Sequence, residues 1–301
     1  MSLVSYRVST RAEGRGDAER RRPDGTGALS GQDFGCSDIK SGAFIGTMTT
    51  SPASRVPRTL LAETMDLLRT VGLALLIALV LRVFLLQPNT IPSSSMEPNL
   101  LTGDYMLVSK FDYGWSRHAV PFSPPLPAGR LNGKAPRRGD VIVFRLPRDP
   151  TQTWVKRLIG LPGDRVQVTG GVVSVNGVPI RQTRDGQTQD PDSPEITVTR
   201  VWETLPDGRR YLTFDRGPDG AGDNTDVFVV PEGHVFAMGD NRDNSLDSRW
   251  PEEIGVGHLP MDNLLGRARY VLVSWRIGAS LFKPWTWVTH FQPGRTFQPV
   301  V

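Results

Sequence analysis

One strongly apolar segment constrains this chain more than any other feature of its sequence. The run LLRTVGLALLIALVLRVFLL covers Leu67–Leu86, about the length that a helix needs to cross a bilayer. Arg69 and Arg82 lie near its ends, where long side chains can reach the polar interface. A cleaved secretory signal is the alternative interpretation, but its cleavage site would have to fall at Ser93–Ser95, beside Pro92. We therefore predict a retained transmembrane helix over 67–86.

The basic residues ahead of this segment predict its orientation. Arg55, Arg58 and Arg69 lie on its N-terminal side, and an excess of arginine or lysine marks the cytoplasmic side of a membrane span. Everything after Gln87 then lies outside the membrane. We expect a single-pass protein of the cell membrane with a cytoplasmic N terminus and an extracytoplasmic domain.

The first 57 residues have the composition of a disordered cytoplasmic tail. Arginines are scattered among Gly, Ser, Thr and Asp without an apolar period. Residues 58–66 then form a juxtamembrane segment, and Met48 is an alternative first residue for the chain. The lone cysteine, Cys36, falls in this tail, which excludes an intrachain disulfide and a cysteine metal cluster.

Composition favours a domain of short strands after the membrane segment. Glycine and proline are frequent, with 31 and 25 residues, and such a composition favours short strands and many turns over long helices. Lys and Arg number 35 against 31 Asp and Glu, so the balanced charge does not suggest a nucleic-acid partner. Apolar runs such as Val141–Leu146 and Trp154–Ile159 read as buried strands. We predict a mostly antiparallel β domain over 87–276.

Two parts of this region are expected to stand apart from the main sheet. Residues 181–226 form a smaller appended β lobe, in which the polar, acidic stretch 181–194 is interpreted as a loop. The segment 277–301 is rich in Trp and Phe near Lys283 and Arg295. These aromatic residues either pack on the sheet or contact the membrane interface, where aromatic and basic residues are favoured together.

A serine cluster follows the apolar segment directly. Prolines before and after the serines of Ile91–Pro98 (IPSSSMEP) restrict the backbone, as a protein requires when it must hold a hydroxyl still. An ordinary structured turn is the alternative interpretation. A serine also needs a base to take its proton, and the four histidines (His118, His234, His258 and His290) stand in no triad or metal motif.

A lysine can replace histidine as the base if burial lowers its pKa. Lys156 is the lysine that lies inside an apolar strand, with Trp154 and Val155 before it. The alternative role for such a residue is an edge lysine whose ammonium reaches solvent.

A third polar block, Gly239–Arg249 (GDNRDNSLDSR), follows another apolar run. Its glycine precedes the acidic residues and Arg242 interrupts them, so a calcium loop is disfavoured. A structured loop that supports another element is the better interpretation. No metal site and no organic cofactor are expected.

Together these blocks resemble bacterial type I signal peptidases. The resemblance rests on IPSSSMEPNL, GDYMLVSK, RGDVIVFRLP with WVKRLIGLPGD, and GDNRDNSLDSR, in this order after a membrane anchor, and it covers about Leu67–Trp275. It implies a mostly β catalytic domain of the signal-peptidase type, preceded by one transmembrane helix. It also implies a membrane-anchored serine endopeptidase that removes signal peptides from exported preproteins, near the secretion translocon.

The resemblance assigns a role to each matched residue. Ser95 is implied as the nucleophile and Lys156 as the general base, while the Ser93 hydroxyl and the Ser95 backbone N–H form the oxyanion hole. Ser245 would hydrogen-bond the lysine amine, and Asp247 and Arg249 would brace the loop behind it. Ser94 departs from the glycine found in many members.

The implied substrate has small residues at the first and third positions before the cut, and it binds as an extended strand. Apolar side chains near the serine and lysine are expected to form its pocket walls, namely Ile91, Met96, Trp154 and Val155. A self-cleaving Ser-Lys repressor would need a DNA-binding helix pair where this chain has the apolar segment. A membrane-tethered module that only binds exported peptides would not need Ser95 or Lys156.

Overall fold

The structure is a computed structural model that describes residues 60–119, 129–191, 193–276, 278–279 and 283–301. The predictions for the tail 1–57, including Met48 and Cys36, therefore lie outside the described residues. A long helix α1 (Leu60–Phe84) opens the described part, and its apolar side chains are exposed on all sides. Residues Leu60–Arg82 are long and apolar enough to cross a membrane.

The helix differs in its limits from the predicted span. It begins seven positions earlier than residue 67 and ends at Phe84, while Leu86 already lies in the first strand. The stretch predicted as juxtamembrane is also helical. Its charged residues do not contribute to an apolar window, but Glu63, Asp66 and the following Arg69 are all compatible with a helix. The apolar window locates the membrane-compatible part of the helix and does not locate its ends.

Fifteen strands follow in the described residues. They are β1 (Leu86–Thr90), β2 (Asp104–Ser109), β3 (Val141–Leu146), β4 (Asp149–Gly160), β5 (Arg165–Thr169), β6 (Val172–Val175), β7 (Val178–Pro179), β8 (Arg181–Gln189), β9 (Thr197–Thr204), β10 (Arg210–Asp215), β11 (Phe228–Val229), β12 (His234–Met238), β13 (Leu259–Pro260), β14 (Leu264–Ser274) and β15 (Gln298–Pro299). A short helix α2 (Trp285–Thr289) lies near the C terminus, and 3₁₀ turns cover Ser94–Met96, Arg117–Ala119, Arg242–Asn244, Met261–Asn263 and Pro293–Arg295.

The strands form three antiparallel sheets, which confirms the predicted fold class. The main sheet has the order β1-β2-β14-β3-β4-β12-β13, with β15 paired to β14. A second sheet has the strand order β11-β5-β6-β7, and a third sheet has the order β10-β9-β8. The third sheet is the counterpart of the smaller lobe expected over 181–226, although its strands end at Asp215.

The interpretation of 181–194 as a loop is wrong for residues 181–189. Arg181–Gln189 is strand β8, which pairs with β9 over its whole length. Most of its side chains are exposed on both faces, so the apolar alternation that marks a half-buried strand is absent. Its partner β9 supplies the pairing that the local sequence does not reveal.

The serine cluster and strand β4, which carries Lys156, pack on the same hydrophobic core. A cluster of buried side chains joins Ile91 and Met96 to Val155 of β4 and to residues of β2, β3 and β14. Burial of such side chains stabilises each by about 1.5–3 kcal/mol relative to exposure. The serine turn and β4 are therefore held against each other by packing.

The aromatic C-terminal segment has both packed and exposed side chains. Trp275 stacks edge-on against Tyr105 at 5.4 Å between ring centroids and contacts Phe291 at 5.9 Å. Trp285 and Trp287 remain 64% and 45% exposed. Packing on the sheet therefore accounts for only part of this segment.

Candidate active site

The serine cluster forms a tight turn tied to its neighbours on both sides. Ile91 donates its N–H to the Asp104 carbonyl at 2.8 Å and accepts the Gly103 N–H at 2.9 Å. The 3₁₀ turn Ser94–Met96 follows, and the Ser95 carbonyl accepts the Asn241 N–H at 3.2 Å. Ser95 is thereby connected through its own backbone to the polar block 239–249.

Lys156 meets Ser95 inside the molecule. The amine nitrogen of Lys156 lies 2.6 Å from Oγ of Ser95, across 61 positions of sequence. The lysine is 3% exposed, because β4 lies between β3 and β12 in the main sheet. The two side chains are within direct proton-transfer distance.

Burial lowers the pKa of Lys156 from 10.5 to about 8. Removal of the ammonium from water disfavours the charged form, and this effect outweighs the nearby carboxylates of Asp247 and Asp240, which favour it. At pH 7 roughly a tenth of such amines are neutral, compared with about one in 3,000 for an ordinary lysine. The site therefore holds a lysine that can act as a base near neutral pH.

Lys110 shows that burial alone does not create this arrangement. It is 2% exposed, and burial lowers its pKa to about 8 as well. Its ammonium donates to the Ala119 carbonyl at 2.5 Å, and it does not line the cleft that contains Ser95.

The other two serines with predicted roles lie close to the pair. Oγ of Ser93 is 3.5 Å from Oγ of Ser95, so both hydroxyls face the same space. Ser245 also lines the cleft beside Lys156, but its buried hydroxyl makes no hydrogen bond in the described part of the chain. The implied hydrogen bond between Ser245 and the Lys156 amine is thus not formed in this structure.

Asp247 and Arg249 form a buried ion pair behind the lysine. Arg249 donates from Nε to Oδ1 and from Nη2 to Oδ2 of Asp247, each at 2.9 Å. Burial opposes ionisation of Asp247, but the charge and hydrogen bonds of Arg249 outweigh it and hold the pKa of the carboxyl below its ordinary value. Asp247 also accepts the Gly239 N–H at 3.0 Å, so the pair fixes the start of the 239–249 loop.

Two more buried ion pairs connect this loop to the rest of the domain. Arg157 makes two hydrogen bonds to Asp240, at 2.6 and 2.7 Å, and Arg242 makes two to Glu203 of β9, at 2.5 and 2.6 Å. Burial raises and the Arg242 charge lowers the pKa of Glu203, with a net decrease. Nothing in the local sequence pattern pairs Arg157 with Asp240 or Arg242 with Glu203, because these residues lie 83 and 39 positions apart.

Gly239 has a packing role that the sequence pattern does not reveal. A Cβ at this position would overlap the Ser245 side chain and lie 2.5 Å from the Ser95 carbonyl oxygen. Contacts this short do not occur between real side chains and backbone, so only glycine allows this close approach. The glycine brings the supporting loop against the serine turn.

The serine and lysine open into a cleft of about 640 Å³. The four predicted pocket-wall residues all line it, namely Ile91, Met96, Trp154 and Val155. None of the four histidines does. Among the residues described, no group of three or more His, Cys, Asp or Glu side chains is placed to hold a metal ion.

Comparison with known proteins identifies the family. The sequence model described as "Signal peptidase, peptidase S26" matches residues 64–275. The chain belongs to this family. Signal peptidase I of Rickettsia typhi is 39% identical over 209 residues, which cover 67% of this chain and 77% of the relative. Signal peptidase I of Rickettsia felis is also 39% identical, and the alignment covers 67% of this chain and 76% of the relative.

Solved structures also include similar proteins. One is a signal peptidase I from Enterococcus faecalis, with 27% sequence identity, a TM-score of 0.27, and coverage of 44% of this chain and 97% of that one. The family match and the curated relatives confirm a bacterial type I signal peptidase and a serine endopeptidase. As a signal peptidase, this enzyme cleaves signal peptides from preproteins.

Proposed function

We propose that Ser95 is the nucleophile and Lys156 the general base of this signal peptidase. The observation that carries the proposal is the 2.6 Å separation between the Lys156 amine and Ser95 Oγ inside the substrate-sized cleft. Such contact is the arrangement that activates a weak hydroxyl nucleophile. The supporting loop and its ion pairs hold both groups in place.

In the proposed reaction, neutral Lys156 takes the proton of Ser95 as Oγ attacks the carbonyl before the scissile bond. The developing negative charge is met by the Ser95 N–H and the Ser93 hydroxyl, which are oriented before the reaction begins. Lys156 then gives its proton to the departing amine, and an acyl-enzyme on Ser95 remains. A water molecule, deprotonated by the same lysine, attacks this ester and releases the signal peptide with Ser95 restored.

Cleavage after small residues follows from the proposed pocket. Ile91, Met96 and Val155 are 3%, 1% and 9% exposed, so they are packed from behind and offer little room for adjustment. Trp154 forms the remaining wall, with its ring centroid 5.4 Å from the Lys156 amine nitrogen. We infer that small side chains at the first and third positions before the cut fit this space.

Helix α1 is proposed as a single membrane anchor with its N terminus in the cytoplasm. The exposed apolar surface of the helix supports its role as an anchor. The arginines before it support the orientation. The catalytic domain then lies outside, near the membrane surface and the secretion translocon. The exposed Trp285 and Val288 support an additional contact with the lipid interface. The domain limits 87–276 and 277–301 remain part of the proposal.

The function is tested by cleavage of a preprotein whose signal peptide ends in Ala-x-Ala, using the full chain in detergent. Wild-type enzyme is expected to cut after the second Ala, as read by mass spectrometry. Ser95→Ala is expected to lose cleavage by about 10⁴-fold or more, because the nucleophile is absent. A folded Ser95→Ala variant that retained the wild-type rate would contradict the assignment.

The pH profile gives a separate prediction. The neutral amine is the active form, so kcat/KM should rise with pH through an apparent pKa near 8, the value to which burial lowers Lys156. Activity at pH 6 should then be about a tenth of that at pH 7, because each pH unit below the pKa lowers the neutral fraction tenfold. The measurement is kcat/KM between pH 6 and pH 10 at constant ionic strength. A flat profile, or one that falls over this range, would contradict a lysine base.

A further inference from the structure

A second cavity of about 470 Å³ adjoins the active-site cleft. Its walls are the glycine-rich turn Arg216–Gly222 and residues Arg242, Asp243, Ser245 and Trp250. Asp243, Ser245 and Trp250 line both cavities. The two spaces therefore meet along the loop that supports Lys156.

The positions of the cavities indicate what the second one receives. The walls proposed for the small residues before the cut, such as Ile91 and Trp154, line only the first cavity. An extended peptide advances about 3.3 Å per residue, so the residues on the other side of the scissile bond must lie beyond Ser95. The second cavity adjoins the cleft at Asp243, Ser245 and Trp250 and has none of the walls proposed for the residues before the cut, so it is the space available to residues after it.

The charge balance of the second cavity is negative. Both arginines in its wall are neutralised from behind, since Arg242 pairs with Glu203 and Arg216 pairs with Asp190 at 2.7 Å. Neither of those acids lines the cavity. Asp219 and Asp243 do line it, and within the described ranges neither forms an ion pair.

Asp243 is the carboxylate placed at the junction. Its Oδ2 accepts the backbone N–H of Arg216 at 2.7 Å, whereas its Oδ1 is buried without a hydrogen-bond partner. A Cβ at Gly220 would overlap this carboxylate and lie 2.9 Å from Oδ2 of Asp223. The absence of a side chain at Gly220 therefore allows the turn to pack directly against both carboxylates.

Further carboxyls reinforce the negative potential. Burial raises the pKa of Asp223 and of Asp215, and the charge of Asp243 contributes to both increases. The two carboxylates also accept backbone N–H groups of the turn that lines the cavity, Asp223 from Gly220 at 2.8 Å and Asp215 from Gly217 at 2.7 Å. An additional negative charge placed in the cavity would be repelled, whereas a cationic side chain would relieve this repulsion.

We propose that the second cavity is the subsite for the second and third residues after the scissile bond. Its negative charge favours basic residues there, tolerates neutral ones and disfavours acidic ones, with Asp243 as the specificity-determining residue. This inference rests on the proposed function, since it needs Ser95 as the point of cleavage. It adds a preference on the mature side of the substrate to the small-residue preference on the signal-peptide side.

The test uses three peptides with the same signal sequence ending in Ala-x-Ala. Their second and third residues after the cut are Lys-Lys, Gln-Gln or Glu-Glu, and full-length enzyme in detergent is assayed at low salt. Wild-type kcat/KM is expected to be about tenfold higher for the Lys-Lys than for the Glu-Glu peptide, mainly through KM. The ratio should fall as salt rises to about 0.5 M.

Asp243→Asn keeps an oxygen for the Arg216 N–H but removes the charge, so it should reduce this ratio to about threefold or less. Asp219→Asn, at the exposed rim, should reduce it by a smaller factor and provides a second variant. Asp207→Asn removes an exposed carboxylate that lines neither cavity and should leave the ratio unchanged.

Equal ratios in wild type, Asp243→Asn and Asp219→Asn would overturn the inference, as would equal cleavage of all three peptides by wild type. Failure of folded wild-type enzyme to cut any of the peptides would instead overturn the proposed function, and the subsite with it.

Discussion

Lys156→Ala is expected to lower kcat/KM by about 10³-fold or more, because general-base catalysis contributes about 10²–10⁴-fold and no second base lies at Ser95 Oγ among the described residues. KM should change little, since the proposed role of the lysine is to take the Ser95 proton during the reaction. The loss should also remove the rise in activity near pH 8. The measurement is steady-state cleavage of the Ala-x-Ala substrate from pH 6 to pH 10.

Two variants control this experiment. Lys156→Arg keeps a cation at the site but cannot lose its proton near neutral pH, so it should be as inactive as the alanine variant. Lys134→Ala removes an exposed lysine outside the cleft and should retain wild-type activity. Retention of the wild-type rate and pH profile by Lys156→Ala would mean that another group takes the proton.

Asp240→Ala is expected to cause the largest loss of stability. Arg157 and Asp240 are 1% and 0% exposed at the side chain, and removal of one member of a buried ion pair costs about 3–5 kcal/mol, because a charge remains buried without its partner. For a domain of about 200 residues this corresponds to a decrease in Tm of roughly 6–20 °C. Thermal unfolding of the full chain in detergent measures it.

The double variant Arg157→Met with Asp240→Leu separates the charge effect from packing. It removes both charges at once, so it should be more stable than Asp240→Ala alone. Asp207→Ala breaks an ion pair whose side chains are 38% and 51% exposed, and such a pair contributes at most about 1 kcal/mol. A decrease for Asp240→Ala no larger than for Asp207→Ala would show that the buried pair does not hold the loop.

The contact between Ser95 and Lys156 is easier to anticipate from the sequence than the residues that support it. Both residues could be proposed as partners because rigid prolines and an apolar strand are unusual places for a serine and a lysine, and because the family motifs contain both. The Arg242–Glu203 pair could not, since it depends on how the third sheet packs against the loop. For Ser245, the motif predicts a hydrogen bond to the lysine, whereas its hydroxyl instead packs against Gly239.

The fold, too, is predictable from the sequence only in part. Strands β3 and β12 are recognisable because they are buried and apolar on both faces. Strand β8 is not recognisable, because its polar faces carry no periodic signal and only pairing with β9 makes it a strand. Helix α1 was located through its hydropathy, but its ends depend on charged residues that fit a helix equally well and on the pairing of Leu86 with Ser109.

The proposed mechanism requires a covalent acyl-enzyme at Ser95. Wild-type enzyme is mixed with an Ala-x-Ala peptide, quenched in acid within milliseconds, digested and mapped by mass spectrometry. We expect the added mass on the peptide that contains Ser95, and its absence in Ser95→Ala and Lys156→Ala. An adduct on another residue, or rapid cleavage by Ser95→Ala without any adduct at this turn, would contradict the proposed mechanism.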